Sequence, residues 1–256
     1  MDGFAYNWLF AEFSPVDLPT MKPLPLLFAI VFLSSASLLT AQEATQPSEE
    51  SVKPGINERF LDTTLDVQEW IGRFEVESRE VFSARERVLL ACQIQPGMTV
   101  ADIGAGTGFY SRLFANEVGD QGWVYAVDLS TNFLQHINKQ SDADRVQNIT
   151  CVLGTDRSVR LPAASVDFVF VCDTYHHFEF PQSTLASIYK ALKPGGTMVV
   201  IDFERIPGQT RDWTLGHVRA GKEVFRKEIE AAGFSLVEEV EIPSFKENYL
   251  LRFRKE

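Results

Sequence analysis

A glycine-rich stretch in the middle of the chain carries the first chemical signal. It holds an acid, three alternating glycines and an alanine, namely Asp102, Gly104, Ala105, Gly106 and Gly108. Glycines at this spacing let the backbone turn sharply and approach a ligand, and a helix that begins after them offers free N–H groups to an anion. The carboxylate beside the loop disfavours a pyrophosphate and favours a cation or an ammonium group.

The same glycines are also compatible with a dinucleotide-binding loop or with a tight turn that binds nothing. A G-x-G-x-x-G motif that starts at Gly104 needs a glycine at position 109, which is Phe109. This mismatch disfavours a nicotinamide-dependent oxidoreductase. A tight turn without a ligand accounts for the pattern less well, because three flexible residues cost much chain entropy on folding.

A second acid ends the next apolar run. Asp128 follows the residues WVYAV and lies twenty positions past Gly108. An acid at this place typically binds ribose hydroxyls, since the two oxygens of one carboxylate match two neighbouring donors. Alternatively, Asp128 only caps the next helix, although Ser130 is available for that role.

Titratable groups cluster after a later apolar run, in Asp173, Tyr175, His176 and His177. Ligands of open α/β sheets bind beyond the carboxyl ends of the strands, and histidine titrates near neutral pH, so Tyr175, His176 and His177 are candidate catalytic residues. Neighbouring side chains on an extended segment point apart, and we therefore expect at most one histidine to face a substrate. The alternative is that both histidines only support the loop through hydrogen bonds.

We expect no metal site in this segment, because the spacing shows no third ligand. Two flanking regions are candidate covers of the site. The first is the long segment from 204 to 220, which includes Trp213 and His217. The second is the helical region 66–92, which offers Trp70 and Arg73, while Trp213 could equally be a packing anchor.

The elements that must position these groups alternate between strands and helices. We predict strands at 98–102, 123–127, 148–153, 166–172 and 197–202, and helices at 66–76, 79–92, 109–118, 131–139, 182–192 and 221–232. This alternation predicts a parallel sheet covered by helices on both faces. The last two apolar runs, 234–241 and 246–253, predict an antiparallel hairpin at the C-terminus.

Four stretches carry a resemblance to a known family: VADIGAGTGFYS at 100–111, VYAVDLS at 124–130, LPAASVDFVFVCD at 161–173 and LKPGGTMVVIDF at 192–203. The chain resembles class I S-adenosylmethionine-dependent methyltransferases, nearest the ubiquinone/menaquinone C-methyltransferase-like branch. The resemblance implies a Rossmann-like, doubly wound, seven-stranded and mostly parallel α/β sheet of order 3-2-1-4-5-7-6. The chain lacks the Asn/Asp-Pro-Pro-aromatic motif of amino and nucleobase N-methyltransferases, and also an Arg-Asn pair frequent in quinone methyltransferases.

The same resemblance implies S-adenosylmethionine as the cofactor and a small molecule as the methyl acceptor. Asp102 and the loop Gly104–Gly108 would hold the methionine part. Asp128 would bind the ribose and Asp156 the adenine amino group, and Leu129 belongs to the same cofactor-binding set. Asp173 joins the cofactor-binding set, because the family uses this segment to line cofactor and acceptor. A non-catalytic cofactor- or partner-binding module of the same fold and a nicotinamide-dependent oxidoreductase are the alternatives.

Composition adds limits to these expectations. The chain has 256 residues, of which 45% are apolar and 23% charged, which is ordinary for a globular protein. A formal net charge of -11 disfavours nucleic acid as a partner. Three cysteines do not make a disulfide framework, and the implied strand order separates Cys151 from Cys172, which predicts free thiols.

The N-terminal part differs from the rest. Met21-Lys22, an apolar run and Leu39-Thr40-Ala41 predict a secretory signal peptide with translation from Met21, while an uncleaved anchor or a buried helix are alternatives. The predicted organisation is an extension with signal peptide or anchor (1–41), a linker (42–65) and a methyltransferase domain (66–256). Membrane association is expected only through residues 21–41. If this leader functions, we expect an exported protein that is either periplasmic or membrane-anchored. Otherwise we expect a cytoplasmic protein.

Overall fold

The computed structural model describes residues 49–256. The predicted leader, the start at Met21 and residues 42–48 of the predicted linker lie outside the described residues. The helices are α1 (Glu58–Leu61), α2 (Val67–Phe74), α3 (Glu80–Ser83), α4 (Arg85–Cys92), α5 (Phe109–Val118), α6 (Thr131–Asp144), α7 (Pro181–Ala191), α8 (Asp212–His217) and α9 (Lys222–Ala231), with a 3₁₀ helix at Tyr175–His177. The strands are β1 (Thr99–Ile103), β2 (Trp123–Asp128), β3 (Ile149–Leu153), β4 (Val166–Cys172), β5 (Leu192–Phe203), β6 (Phe234–Glu239) and β7 (Asn248–Lys255).

The strands form one seven-stranded sheet of order β3-β2-β1-β4-β5-β7-β6. The first five strands pair in parallel, and β7 pairs antiparallel with both β5 and β6. The predicted fold class and strand order are therefore confirmed. Within residues 49–256, no helix is both long and apolar enough to cross a membrane.

Apolar side chains fill both faces of the sheet, as is typical of parallel strands covered by helices. Successive residues of β4 alternate between the faces. Phe170 packs against Phe114 of α5, with ring centroids 5.0 Å apart. Val169 and Val171 join the cluster on the opposite face, which includes Leu185 of α7. The sheet is thus fixed between two cores, and its strand ends are held rigidly.

Two predicted elements differ in their bounds. The helix predicted over 79–92 is divided at Ala84, whose backbone (φ −91°, ψ 11°) leaves the helical region. The Ser83 hydroxyl donates to the Glu80 carbonyl there, and such bonds compete with regular helix hydrogen bonding. The segment 204–220 contains the short helix α8, which the sequence pattern does not predict.

The described part of the predicted linker lies against the domain. The Glu49 carboxylate accepts hydrogen bonds from the backbone N–H groups of Gln182 (2.8 Å) and Ser183 (2.9 Å) in the first turn of α7. Asn57 donates its side-chain amide to the His177 carbonyl at 3.0 Å. A carboxylate is favourable at a helix N-terminus, because free N–H groups and the positive end of the helix dipole meet it there.

The cysteines agree with the prediction of free thiols. Cys92, Cys151 and Cys172 are all unpaired. Cys151 lies on β3 and Cys172 on β4, and two strands separate them in the sheet.

Candidate active site

A cavity of about 670 Å³ lies at the carboxyl ends of the central strands. Three segments that follow β1, β2 and β4 line it, namely Asp102–Thr107, Val127–Leu129 and Cys172–Thr174. This is where open α/β sheets bind their ligands, and the volume is typical of a small-molecule site.

The glycine loop between β1 and α5 requires glycine for two reasons. Gly104 has φ +72° and Gly108 has φ +76°, a region that other residues rarely adopt. A Cβ on Gly104 would lie 2.3 Å from Thr174 Cγ2, and one on Gly108 would lie 2.6 Å from Ile137 Cγ1. The loop is therefore packed directly against the segment after β4 and against α6.

Asp128, at the end of β2, holds the loop and faces the cavity. Its Oδ2 accepts the N–H of Gly106, and its Oδ1 accepts the N–H of Ser130, each at 2.8 Å. Burial raises the pKa of Asp128, and the backbone N–H groups oppose that shift. Each oxygen of a carboxylate accepts about two hydrogen bonds, so each keeps a lone pair for a ligand hydroxyl.

Asp102 lies beneath the loop, where its Oδ2 accepts the Ser111 hydroxyl of α5 at 2.6 Å. Burial raises the pKa of Asp102 to about 7. Its side chain lines the cavity, and a nearby cationic group would favour its ionised form. Ser111 belongs to this site but has no signal of its own in the sequence beyond its place one turn into α5.

The other predicted cofactor-binding residues divide into two sets. Ala105, Leu129 and Asp156 line the cavity, and Asp156 is exposed. Asp173 also lines it, but its carboxylate is already paired, since Oδ2 lies 2.7 Å from the Arg79 guanidinium and Oδ1 accepts the Asn248 amide at 2.7 Å. Asp173 therefore fixes the segment after β4 to α3 and β7.

His176 and His177 both line the cavity, in contrast to the expectation that at most one would do so. The segment is a 3₁₀ helix and not an extended strand. Adjacent side chains on a 3₁₀ helix diverge by about 120°, less than on a strand, so both rings reach one side. The ring centroids lie 4.3 Å apart.

Tyr175 is turned away from the cavity. It is fully buried, and its hydroxyl donates to Glu228 of α9 at 2.9 Å. Its ring packs against Phe225 with a centroid distance of 4.8 Å. The structure thus brings two of the three predicted catalytic residues together and places the third in the core.

Two residues that the sequence pattern does not assign complete the histidine group. Asp202, at the end of β5, is fully buried, and its Oδ1 lies 2.8 Å from His176 Nδ1. His217 of α8 places its Nε2 3.3 Å from His177 Nε2. The sequence spacing shows no third ligand, but α8 brings a third imidazole, that of His217, to the pair. The expectation of no metal site stays a prediction. An acid at the end of an apolar strand was the available signal for Asp202.

Two of these rings are neutral at neutral pH. Burial, with the neighbouring histidines, lowers the pKa of His177 to about 2 and that of His217 to about 4. The Asp202 carboxylate accepts hydrogen bonds, so it assigns a ring proton of His176 to Nδ1 and leaves Nε2 as the other polar atom of the ring. His177 and His217 therefore present lone pairs and not positive charges.

An aromatic wall closes the cavity on the side of α1 and α2. Phe60, Trp70 and Phe74 line it, and Trp70 packs between the others in tilted contacts with centroid distances of 4.9 and 5.0 Å. Arg73 and Trp213 also line the cavity, from α2 and α8. The two regions considered as covers of the site thus both border it.

Comparisons with known proteins agree with this geometry. The family model of a methyltransferase domain matches residues 101–200. Over these residues the chain is similar to methyltransferase domains. Phosphoethanolamine N-methyltransferase 2 of Caenorhabditis elegans is 28% identical over 159 residues, which are 60% of this chain and 35% of that protein. A demethylmenaquinone methyltransferase of Listeria monocytogenes is 30% identical over 127 residues, 48% of this chain and 53% of that protein.

A solved structure agrees with the whole fold. The SAM-dependent methyltransferase from Aquifex aeolicus superposes with a TM-score of 0.66 and 25% identity, over 75% of this chain and all of that one. The family resemblance is therefore confirmed. The chain spans about half or less of the length of the two curated relatives. The family and fold imply S-adenosylmethionine as the cofactor.

The residues of the cavity fit this cofactor. S-adenosylmethionine carries positive charge on its ammonium and sulfonium groups and hydrogen-bond donors on its ribose and adenine. The glycine loop leaves room for close approach, and the acids Asp102, Asp128 and Asp156 offer acceptor oxygens along the cavity. We call the segment Asp102–Gly108 with Asp128 the cofactor side of the cavity, and His176, His177, His217 and Asp202 its histidine side.

Proposed function

We propose that the protein transfers a methyl group from S-adenosylmethionine to a small-molecule acceptor. The observation that carries this proposal is that one cavity is bordered by both sides: carboxylates suited to a cationic, ribose-bearing ligand, and neutral imidazoles beyond the end of β4. The names of the curated relatives, which are methyltransferases of a phosphoethanolamine and of a quinone precursor, support a small acceptor.

When bound, the cofactor supplies a methyl group on a sulfonium and its own leaving group. The protein therefore has to hold the acceptor in line and to exclude water, and alignment of this kind contributes about 7–11 kcal/mol to lowering a barrier. The aromatic wall of Phe60, Trp70 and Phe74 presents apolar surface that removes water from the cavity.

The histidine side takes part in removing the proton from the acceptor. An acceptor with an O–H, N–H or S–H group must lose that proton as the new bond forms. Asp202 orients the ring of His176 through Nδ1, an arrangement that generally serves proton transfer at Nε2. Groups with lone pairs lower the cost of this step, whereas imidazolium ions would raise it.

Calorimetric titration with S-adenosylmethionine and S-adenosylhomocysteine tests the cofactor part. Asp128→Asn removes the charge but keeps the shape, and we expect it to weaken binding by about 100-fold, equivalent to about 2.7 kcal/mol. The control is Asp144→Asn, at the exposed end of α6, which should bind as the wild type does. Absence of measurable binding by the wild type would remove the proposal.

A labelled-methyl assay on fractionated cell extract tests the transfer. Label that appears in a small-molecule fraction, and that disappears with the Asp128→Asn variant, is the expected result. Cofactor binding without transfer to any fraction would favour a non-catalytic module of this fold. Tight binding of NADH instead of S-adenosylmethionine would revive the oxidoreductase alternative.

A further inference from the structure

Three of the four histidines of the chain meet at one point of the cavity. His176 and His177 come from the turn after β4, and His217 comes from α8. One ring nitrogen of each lies within 4.8 Å of the others. The fourth histidine, His136, lies on α6 outside this group. Since imidazole is the commonest metal ligand in proteins, a convergence of three rings raises the question of a metal.

The spacing of one pair of rings agrees with metal coordination, and the ligand atom of the third ring lies within 4.8 Å of both. Two nitrogens bound to one Zn²⁺ at about 2.0–2.1 Å with tetrahedral angles lie about 3.3–3.4 Å apart. His177 Nε2 and His217 Nε2 are 3.3 Å apart. The other ring nitrogen of His177, Nδ1, is buried without a hydrogen-bond partner among the described residues, so Nε2 makes that ring's polar contact.

The surroundings fix all three rings. The Asp202 carboxylate lies 2.8 Å from His176 Nδ1, and a carboxylate behind a histidine is the usual support of a histidine metal ligand. Trp213 stacks on His217 with centroids 4.8 Å apart and an interplanar angle of 19°. Phe60 packs edge-on against His177 at 5.3 Å. Ligands that are held in place before binding lose little freedom when the ion arrives.

We propose that His176, His177 and His217 bind one divalent zinc-type ion, with Asp202 as the positioning residue of His176. Three imidazole nitrogen ligands suit Zn²⁺, and they leave the fourth tetrahedral position to a ligand from the cavity. The buried charge of Asp202 offsets part of the charge of the ion, whereas Lys53 and Arg59, which act on the same histidines, oppose it.

A metal here would take over from His176 Nε2 the action on the acceptor's proton, because the ion would occupy that nitrogen. An acceptor oxygen or sulfur in the fourth position would lose its proton more easily, because the ion stabilises the anion. Only this consequence rests on methyl transfer. Zinc binding itself is a property of the folded chain, so it is measured without cofactor or acceptor.

Calorimetry on the untagged full chain, freed of metal by dialysis against a chelator, provides the test. We expect one Zn²⁺ per chain and a dissociation constant in the micromolar range or below. His217→Phe keeps the stacking on Trp213 but removes the ligand nitrogen, and it should weaken binding by at least about 100-fold. Asp202→Asn should weaken it by about 10–100-fold. His136→Phe is the control and should bind zinc as the wild type does.

Cobalt offers a second readout that does not depend on activity. Co²⁺ in a tetrahedral site shows visible absorption bands, which should appear with the wild type and with His136→Phe and be lost with His217→Phe. If His217→Phe unfolds, His177→Phe replaces it, because that variant keeps the contact with Phe60. No saturable zinc binding, or equal affinity in the folded ligand variants, would overturn the inference. Cofactor binding without zinc binding removes only this inference, and zinc binding without cofactor binding removes only the proposed function.

Discussion

Each of the two sides of the cavity is stabilised by a different kind of contact. On the cofactor side, backbone groups stabilise the glycine loop. The Gly106 N–H donates to Asp128 at 2.8 Å, and the strand ends fix the loop. On the histidine side the contacts join side chains from separate elements, as in His176 with Asp202 at 2.8 Å. A change of backbone conformation should therefore damage the first side, and the loss of a single polar atom should damage the second.

The largest effect is expected from Asp202→Asn. Asp202 accepts hydrogen bonds from both the backbone and the ring of His176, through two oxygens. The variant has one oxygen and an NH₂ group, which then faces one of these N–H donors. We expect methyl transfer to fall by about 100-fold or more while S-adenosylmethionine binding changes little. Radiolabel transfer and calorimetry measure the two quantities.

Tyr175→Phe is the matched contrast on the same turn. It removes the hydroxyl that donates to Glu228 but keeps the buried ring. The structure turns Tyr175 into the core, so transfer should stay within a few-fold of the wild-type rate. A loss as large as that of Asp202→Asn would mean that Tyr175 acts in catalysis, as its sequence position suggested, and would break the distinction between the two residues.

Gly104→Ala tests the backbone-built side. The new Cβ would lie 2.3 Å from Thr174 Cγ2 at a residue with φ +72°. Strain and overpacking together should lower the free energy of unfolding by about 3 kcal/mol, and cofactor binding should weaken as the loop moves. Urea unfolding provides the measurement. Gly72→Ala, at an exposed position of α2 with no atom within 4 Å of the added Cβ, should be neutral or slightly stabilising.

The two sides of the cavity also differ in how well the sequence predicts them. The cofactor side follows from local patterns, because alternating glycines, a strand-end acid and parallel strands are each visible within about thirty residues. The carboxyl ends of β1 and β2 then meet by topology, which brings Asp102 and Asp128 together.

The histidine side depends on contacts between distant segments. His217 meets His177 from 40 residues away, and Arg79 reaches Asp173 from 94 residues away. Neither pairing has a periodicity or a spacing rule that would reveal it. The direction of Tyr175 depends in the same way on Glu228, 53 residues later. Side-chain packing decides such contacts, and strand–helix patterns do not encode it.

Asp102 gives the cofactor side a pH dependence. Its pKa is about 7 in the folded protein against an ordinary value of 3.8, so between these values the folded state binds more protons than the unfolded chain. Stability should therefore fall as the pH rises through this window, by about 2–3 kcal/mol between about pH 5 and pH 8. Asp102→Asn keeps an acceptor for Ser111 and should remove this part of the loss. Urea unfolding at both pH values measures the free energy of unfolding of the wild type and of the variant. An equal change between the two pH values in both proteins would contradict the prediction.

The smallest effect is expected in residues 49–57, which contact α7 and the backbone of the histidine side. Glu49 caps α7 through the N–H groups of Gln182 and Ser183, and Asn57, a few residues later, holds the His177 carbonyl. Glu49→Ala should lower the free energy of unfolding by about 1 kcal/mol, the usual value of a helix cap. Glu50→Ala, at the exposed neighbouring position, is the control and should change it by less than about 0.5 kcal/mol. Equal effects of both substitutions would contradict the capping of α7 by Glu49.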